Sequence, residues 1–479
     1  MADTHTGQGP RKVNSSLAKL VDLAGLPASA ADGVEIVGPA DPVLATRYKP
    51  VAPGAAAIAA TGVAASELWA LRTGRRQQVK VVARAAAAAL RGSRFLKING
   101  KTPEEDPEKI TGFYPLRDGR WMYLHCNFPT LRDRNLKVVG APQNREEVAK
   151  AVAKREGVEL ENAIVEAGGM GTFVRSEEEW RALPQFQAVA RMPLLEIVKI
   201  GEAPPQPLPA GSRPLSGIRA LDLTRVLAGP TCARTLAEHG ADVMRITRQD
   251  LDDMGATDFD TGVGKLNAHV DLRNPAEAET LRSLIRECDV FSQSYRPGSL
   301  ARRGFSPEAL AALRPGIVYV TLSAWGHEGP WRERRGYDTV VQSANGLAYQ
   351  GSNQRPAFLP YSAQDYVAGY VLAFGAMVAL ARRVREGGSW LVRLSLAGAG
   401  HWIRDHGLLE PAEYANCPKE YPAAELQPLL MEHDSPIGRI THLKPVVQMS
   451  ETPARWARPA VPRGYHPPVW PPRSAASAG

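Results

Sequence analysis

Between residues 218 and 394 the sequence alternates short apolar strand patterns with helical ones. Residues 218–223 predict a strand, residues 231–239 a helix that ends at Gly240, and residues 242–247 a second strand. Strands of the same kind occur, each after a helical pattern, at 289–293, 317–322 and 390–394. Strands joined by helices pair in parallel, because each helix carries the chain back to the same end of the sheet. We therefore predict an α/β fold with a doubly wound, Rossmann-like parallel sheet.

A smaller unit precedes this sheet. With 479 residues the chain is longer than one ordinary domain. Asp118-Gly119 predicts a hairpin turn before a strand at 121–126, and the sequence S-E-E-E ahead of Trp180 predicts a capped helix start. These patterns indicate a smaller α+β domain. Residues 201–213 hold four prolines and predict a linker between the two units.

The composition argues against several functional classes. The net charge is +8, yet no block of five basic residues occurs, so small anionic ligands fit better than nucleic acid. The longest uncharged apolar run, residues 366–381, has 16 residues, fewer than the roughly 20 that cross a bilayer, and predicts a buried helix and no membrane contact. Four scattered cysteines show no metal-ligand spacing. We expect no metal and a reducing, cytoplasmic location.

The first strand-to-helix turn is a candidate anion site. Residues 224–230 (TRVLAGP) join a strand end to a helix start, where free backbone N–H groups favour a phosphate. Arg248 comes after the second strand and falls at the sheet edge where doubly wound folds bind ligands. Basic residues that could join it at a phosphate are Lys265, Arg302 and Arg303. The alternatives are an ordinary turn and solvated surface charges.

Asp365 is the candidate nucleophile. It stands directly before the uncharged run 366–381, with Gly369 four residues later. One interpretation is an N-cap that accepts hydrogen bonds from the helix start. The other is a carboxylate nucleophile that is ionised at neutral pH, because the reference pKa of aspartate is about 3.9, and so needs no general base.

Several segments together resemble the class III CoA-transferases, the CaiB/BaiF type that includes formyl-CoA and carnitine CoA-transferases. The segments that carry the resemblance are 217–230 (GIRALDLTRVLAGP), 238–246 (EHGADVMRI), 270–275 (VDLRNP), 295–300 (YRPGSL) and 336–342 (GYDTVVQ). Residues 118–125 (DGRWMYLH) and 176–180 (SEEEW) resemble the small domain of the same family.

The resemblance implies a reaction and a set of site residues. It implies that CoA moves between an acyl-CoA and a small carboxylic acid through an aspartyl anhydride and an aspartyl-CoA thioester, and that Asp365 is the aspartate that becomes acylated. It also implies that the protein binds coenzyme A through Val226, Leu227, Ala228, Arg248, Lys265, Tyr295 and Arg302. Family members form dimers, so we expect a homodimer.

The order of the family segments indicates two incomplete copies joined in one chain. The first half carries the segments that in the family come after the catalytic aspartate, and the second half carries those that come before it. The predicted units are an N-terminal extension (1–50), an incomplete first copy with the small α+β domain (51–200), a proline-rich linker (201–216), a Rossmann-like CoA-binding catalytic domain (217–405) and an irregular tail that wraps the large domain (406–479).

Departures from the family leave alternatives open. Leu227 stands where the formyl-CoA enzyme has glutamine, and Tyr337 stands where related acyl-CoA racemases have histidine. The first departure argues against formyl or oxalyl substrates, and the second weakens a racemase assignment. A racemase or lyase of the same superfamily and a non-catalytic CoA-binding relative remain the alternatives. No motif identifies the acyl donor or acceptor.

Overall fold

The computed structural model describes residues 14–103, 110–252, 254–351 and 354–473. The first twelve residues lie outside the described part. The strands, in chain order, are β1 Val34–Val37, β2 Val79–Val82, β3 Lys97–Ile98, β4 Gly112–Pro115, β5 Trp121–Leu124, β6 Gly171–Phe173, β7 Glu196–Gly201, β8 Arg219–Leu223, β9 Asp242–Thr247, β10 Lys265–His269, β11 Val290–Gln293, β12 Val318–Ser323, β13 Ser389–Ser395, β14 Leu430–Ser435, β15 Gly438–Leu443 and β16 Val447–Met449.

Helices surround these strands. In chain order they are α1 Ser15–Leu23, α2 Val51–Thr73, α3 Ala83–Ala89, α4 Pro129–Val139, α5 Arg145–Val152, α6 Gly157–Glu166, α7 Glu177–Arg181, α8 Pro184–Ala190, α9 Ala228–Glu238, α10 Ala256–Gly262, α11 Pro275–Arg286, α12 Pro307–Leu313, α13 Asp338–Ala344, α14 Ala363–Glu386, α15 Leu396–Asp405, α16 Pro411–Tyr414 and α17 Ala423–Leu426.

The main sheet has seven strands in the order β10-β9-β8-β11-β12-β13-β7. Strands β8 to β13 are parallel to one another, and β7 pairs antiparallel with β13. The prediction of a parallel sheet is therefore confirmed for six strands and wrong at one edge. Strand β7 begins before the expected linker and is held by an ion pair across the register, in which Arg393 Nε lies 2.6 Å from Glu196 Oε2.

Strand β10 was not predicted from the sequence, for a physical reason. Its residues Lys265, Asn267 and His269 are polar, so the segment lacks the apolar pattern of a buried strand. Lys265 and Asn267 are nevertheless fully buried, and the strand pairs along its length with β9. Burial of polar groups depends on neighbours that are distant in sequence.

Two long apolar helices form the centre of the molecule. Helix α14 packs against both α2 and α9, and its residues Tyr366 to Ala381 are buried in the main core. By length and composition α2 and α14 could each cross a membrane, but 83% and 89% of their apolar stretches are buried inside the fold. Buried core helices of this kind have the same composition as membrane spans, so these two helices give weak evidence for a membrane.

One glycine sets how closely α14 approaches the main sheet. A Cβ atom placed on Gly369 would lie 2.5 Å from the carbonyl oxygen of Ala228 and 2.7 Å from Thr231 Cβ. Only glycine leaves room for this contact between α14 and the start of α9. The contact places the first turn of α14, which contains Asp365, beside the turn after β8.

The smaller units are built on local hairpins. Strands β4, β5 and β6 form an antiparallel sheet, and the predicted hairpin pairs Gly112 with Leu124, which confirms it. Helices α4, α5 and α6 enclose its apolar face. The capped start at Ser176 is confirmed as well, with both hydrogen bonds of the capping box present.

The tail is more regular than the sequence indicated. Strands β14 and β15 form a hairpin that pairs with β3, and β16 pairs with β2. The expectation of an irregular tail is therefore wrong over 430–449. The sequence did not indicate these strands because their partners outside the tail, at 79–82 and 97–98, lie far away in the chain. The unit boundaries proposed from the sequence stay predictions, and the main core runs from Leu17 to Met449 across several of them.

Replacing Gly369 by alanine tests the contact between α14 and α9. The added methyl group must push against the Ala228 carbonyl, so we expect Gly369→Ala to lower the free energy of unfolding by about 1–3 kcal/mol. Gly262→Ala in α10 is the matched control, because the nearest atom to its Cβ is 3.9 Å away. Urea unfolding should find the control unchanged or slightly more stable. Equal effects of the two substitutions would contradict the close approach.

Candidate active site at the carboxyl edge of the sheet

A cavity of about 360 Å³ opens at the carboxyl ends of the parallel strands. Residues just beyond the ends of β8, β9 and β11 line it, among them Arg225, Arg248 and Tyr295. Strands β8 and β11 are neighbours in the sheet although β9 and β10 lie between them in sequence. In open α/β sheets the crevice at such a point is where ligands bind.

The turn between β8 and α9 is strained. Val226 has a φ of +70°, a conformation that a β-branched residue rarely adopts. The side chain of Asp222 accepts a hydrogen bond of 3.0 Å from the backbone N–H of Thr224 and thereby fixes the start of the turn. Strain of this kind persists only where the surrounding structure enforces it, and it is concentrated at functional sites. The predicted CoA contacts Val226, Leu227 and Ala228 all belong to this turn.

These three residues lie next to the cavity rather than in its wall. Leu227 and Ala228 are buried, and Val226 is half-buried against the core. Their neighbours Leu223 and Arg225 do line the cavity. A contact between this turn and a ligand would therefore involve backbone atoms, as the resemblance implies.

Lys265 has a different place from the one expected. Its ammonium group is fully buried and lies 2.7 Å from Asp222 Oδ2 and 2.8 Å from the carbonyl oxygen of Pro230. Burial lowers its pKa, and the charge of Asp222 opposes that change. These contacts indicate a role of Lys265 in the fold, and the phosphate contact expected of it stays a prediction. The sequence could not separate the two roles, because a lysine at a strand start fits either.

The other side chains that were predicted to bind CoA lie nearer the cavity. Arg248 and Tyr295 line it, and the Arg248 guanidinium pairs with Asp250. Arg302 is exposed on a short helical turn. Its Nη1 lies close to Gly298, 3.0 Å from where a Cβ atom would stand if one were added to that glycine. Pro297 and Ser299, which flank Gly298, belong to the cavity wall. Arg302 therefore lies at the rim of the cavity.

The cavity is strongly cationic. One aspartate, Asp252, lines it together with seven arginines, which are Arg134, Arg225, Arg248, Arg296, Arg332, Arg334 and Arg335. Of these, only Arg248 was predicted from the sequence. Guanidinium groups bind phosphates and carboxylates through paired hydrogen bonds. The lining therefore favours a ligand with several negative charges.

The small unit, which consists of strands β4 to β6 and helices α4 to α6, supplies the opposite wall. Phe128, Leu131 and Met170 line the cavity from β5, α4 and β6 and their connections. The ring of Tyr337, from the sheet unit, lies 5.5 Å from that of Phe128 and 5.0 Å from that of His125. These aromatic contacts close one end of the cavity with apolar surface.

Asp365 lies behind this aromatic wall. Its side chain is 7% exposed, and no hydrogen bond to it occurs among the residues that the structure describes. Helix α14 begins at Ala363 and its N-cap position is Ser362, so Asp365 stands in the first turn and is not the cap. This placement contradicts the N-cap interpretation. The Asp365 carboxylate therefore has no hydrogen-bond partner among the described residues and lies close to Tyr337. Burial raises the pKa of Tyr337, and the charge of Asp365 has a smaller effect in the same direction.

The expected ionisation of Asp365 needs a correction. Burial, together with the smaller effect of the Asp338 charge, raises the pKa of Asp365 well above its ordinary value. Removing water around a carboxylate disfavours its charged form, and a second carboxylate does the same. The reference pKa of aspartate therefore does not describe this group.

Asp338 is a site residue that was not predicted from the sequence. Its Oδ1 accepts hydrogen bonds from Gln342 Nε2 at 3.0 Å and Gln364 Nε2 at 2.8 Å. Burial raises its pKa to about 6, although these hydrogen bonds act in the opposite direction. The position of Asp338 directly after Tyr337 in the segment 336–342 was the signal that could have identified it.

A metal site is not apparent in this cavity. Across the residue ranges that the structure describes, no three His, Cys, Asp or Glu side chains come together as a metal would require. The cations that line the cavity are arginines.

Comparison with known families identifies part of the chain. Residues 215–425 match the model of CoA-transferase family III. This segment is similar to that family. It contains the turn after β8, the arginines from 225 to 335 and Asp365.

Two curated relatives illustrate the similarity. Acetyl-coenzyme A transferase nodX from Hypoxylon pulicicidum is 30% identical over 360 residues, which is 70% of this chain and 59% of that protein. Formyl-CoA:oxalate CoA-transferase from Rhodopseudomonas palustris (strain BisB18) is 33% identical over 190 residues, 37% of this chain and 44% of that protein. In both comparisons the chain spans less than two thirds of the relative's length.

Solved structures give a weaker match. A CAIB/BAIF family protein from Brucella suis is 24% identical and superposes with a TM-score of 0.39 over 48% of this chain and 65% of the other. The hypothetical protein Rv3272 from Mycobacterium tuberculosis is 26% identical with a TM-score of 0.38 over 40% of this chain and 58% of the other.

Lys265→Met tests whether Lys265 serves the fold. It leaves the buried charge of Asp222 unpaired, so we expect the free energy of unfolding to fall by about 3–5 kcal/mol. Adding Asp222→Asn should restore part of this loss, because no buried charge is then left alone. Urea unfolding of the two variants measures both effects. Unchanged stability together with weaker binding of CoA would instead support the phosphate contact.

Asp338→Asn tests the interaction between the two carboxyl groups. The substitution removes a negative charge, so we expect the pKa of Asp365 to fall. A titration of protein carrying ¹³C-labelled aspartate side chains, monitored by NMR, measures this change. An unchanged Asp365 titration would contradict the interaction.

The same variant has a predictable effect on stability. The folded-state pKa of Asp338 is raised to about 6, above its unfolded value of about 3.9. The protonated group therefore adds stability below pH 4 that is lost as the pH rises through 6. At pH 8 Asp338→Asn should be no less stable than the wild type, because it keeps an acceptor and never ionises.

Proposed function

We propose that the protein is an acyl-CoA:carboxylate CoA-transferase that works through covalent intermediates on Asp365. The observation that carries this proposal is a buried carboxylate without a hydrogen-bond partner in the described structure, beside a cavity lined by seven arginines. The match of residues 215–425 to CoA-transferase family III supports the same assignment.

The strand order supports a proposal about the fold. We propose a Rossmann-like sheet, since the parallel strands numbered from β8 have the order 3-2-1-4-5-6. The homodimer and the cytoplasmic location stay predictions from the sequence.

The proposed reaction begins at the thioester. A carboxylate oxygen of Asp365 attacks the acyl carbonyl carbon, the C–S bond breaks, and CoA leaves as a thiolate with an aspartyl anhydride in place. The thiolate then attacks the Asp365 carbonyl carbon, which releases the first carboxylate and leaves an aspartyl-CoA thioester. The acceptor carboxylate repeats both steps in reverse order and leaves with CoA, and Asp365 returns to its starting state.

Burial of Asp365 has two consequences for this chemistry. A poorly solvated carboxylate is a stronger nucleophile, because less water must be removed before it attacks. Because burial raises the pKa of Asp365 and the ionised form is the nucleophile, the rate should rise with pH. The apolar wall of Phe128, Leu131 and Met170 keeps water from the anhydride, which water would hydrolyse.

The arginines hold the distant end of the substrate. Their contacts with phosphates do not change during the reaction, but they fix the thioester near Asp365. Binding energy from a remote part of the substrate can in this way lower the barrier at the reacting carbon.

Asp365→Asn tests the proposal. The amide cannot attack the thioester, so we expect exchange of labelled carboxylic acid into acyl-CoA to fall by at least about 10⁴-fold. The affinity for CoA, measured by calorimetry, should be unchanged or higher, because the variant also removes a negative charge. A panel of acyl-CoA donors and small carboxylic acids, screened with the wild type, identifies the pair to use.

The control variant is Asp22→Asn, a substitution of an exposed aspartate in α1, outside the cavity lining. It should keep the exchange rate within a few-fold. Exchange that survives Asp365→Asn would rule out this nucleophile, and a wild type that binds CoA without exchange would favour the non-catalytic alternative.

A further inference from the structure

Two arginines from different units of the protein share one acceptor. Arg134 Nη1 in α4 donates a hydrogen bond of 3.0 Å to the carbonyl oxygen of Gly168, and Arg335 Nε donates one of 3.0 Å to the same oxygen. The two donor nitrogens are therefore no more than about 6 Å apart. Both side chains line the cavity.

This pair has little negative charge around it. Among the described residues neither guanidinium lies within ion-pair distance of a carboxylate, although Arg334, next in the chain, has Glu161 at 3.8 Å. Burial, with smaller effects from the charges of Arg296 and Arg134, lowers the pKa of Arg335. Arg134 and Arg335 share one carbonyl acceptor, and the charge of Arg296 acts on Arg335 as well. This arrangement of positive charges is unfavourable until an anion joins it.

The position of the pair suggests which anion joins it. Arg296 lies just beyond the end of β11, and β11 borders the crevice at the carboxyl edge of the sheet. The cavity extends along this edge past Arg248 and Tyr295. A phosphate at this place would be reached from the sheet by Arg335 and Arg296, and from the small unit by Arg134.

We infer that Arg134 is a further ligand-binding residue, which contacts a phosphate group of bound CoA together with Arg335 and so draws the small unit onto the substrate. This inference rests on the proposed function. It concerns a residue of the small unit, outside the segment 215–425 that matches the family model.

Because the two arginines share one carbonyl acceptor, Arg134 can be replaced without a defect in folding. In Arg134→Met the oxygen of Gly168 still accepts from Arg335, so no buried acceptor is left unpaired. Methionine also retains the apolar stem that packs in the cavity wall. We therefore expect a melting temperature close to that of the wild type.

The experiment compares two donors that differ only in their phosphates. For an acyl-CoA, kcat/KM of Arg134→Met should fall about 10- to 100-fold, the effect of losing a charge-assisted hydrogen bond. For the corresponding acyl-pantetheine, which has no phosphate, kcat/KM should be unchanged. Calorimetry with CoA should find the same 10- to 100-fold loss of affinity, and Arg134→Lys should recover part of it.

Arg132→Met is the matched control. Arg132 lies on the same helix, pairs with Asp133 and is not part of the cavity lining. It should leave both donors unaffected.

Three results would overturn the inference. One is unchanged CoA affinity in Arg134→Met, and another is an equal loss for acyl-CoA and acyl-pantetheine. The third is a raised KM for the carboxylic acid alone, which would assign Arg134 to the acceptor carboxylate. A wild type that binds no CoA would instead refute the proposed function itself, so the two failures can be told apart.

Discussion

The close contact of α14 with the turn after β8 is the constraint on which the site depends. At Gly369 the helix comes so near the Ala228 carbonyl that no larger residue fits. One helical turn earlier stands Asp365, so the contact fixes a carboxylate at the edge of the sheet where the cavity opens. The strained Val226 belongs to the same turn, and the buried pair of Lys265 and Asp222 holds the start of that turn from below.

Charge is distributed unevenly around this contact. On the inner side lie two carboxyl groups, Asp338 and Asp365, whose charged forms are disfavoured by burial. The charge of Asp338 also disfavours the charged form of Asp365. On the outer side lie the arginines of the cavity. A substrate with a phosphate-rich end and a reactive carbonyl matches this arrangement, because each end meets the groups that stabilise it. The apolar wall from the small unit lies between the two and limits access of water.

Much of the fold could be predicted from local sequence patterns. The strands at 219–223 and 242–247, the hairpin after Phe113 and the capped helix at Ser176 depend on residues close together in the chain. Three features could not be predicted this way. The antiparallel edge strand β7, the polar strand β10 and the hairpin of the tail all pair with segments that are distant in sequence.

The site was predictable in part for the same reason. Tyr295 stands in a segment that carries the resemblance, Arg248 follows a predicted strand, and Asp365 precedes the uncharged run 366–381. All three lie at or beside the cavity. Lys265 was expected from the same resemblance, but the direction of its side chain is set by Asp222, which is 43 residues away. Arg134 and the apolar wall come from the small unit, and their approach to the sheet depends on how the two units pack.

The central claim is that Asp365 bonds covalently to the substrate, and mass spectrometry tests it most directly. The wild type is incubated with an acyl-CoA donor, treated with hydroxylamine and digested, and the peptide that contains Asp365 is analysed. We predict an aspartyl hydroxamate at residue 365, formed only when the donor is present. An unmodified Asp365 in protein that is demonstrably transferring CoA, or a hydroxamate at another carboxylate, would contradict the claim.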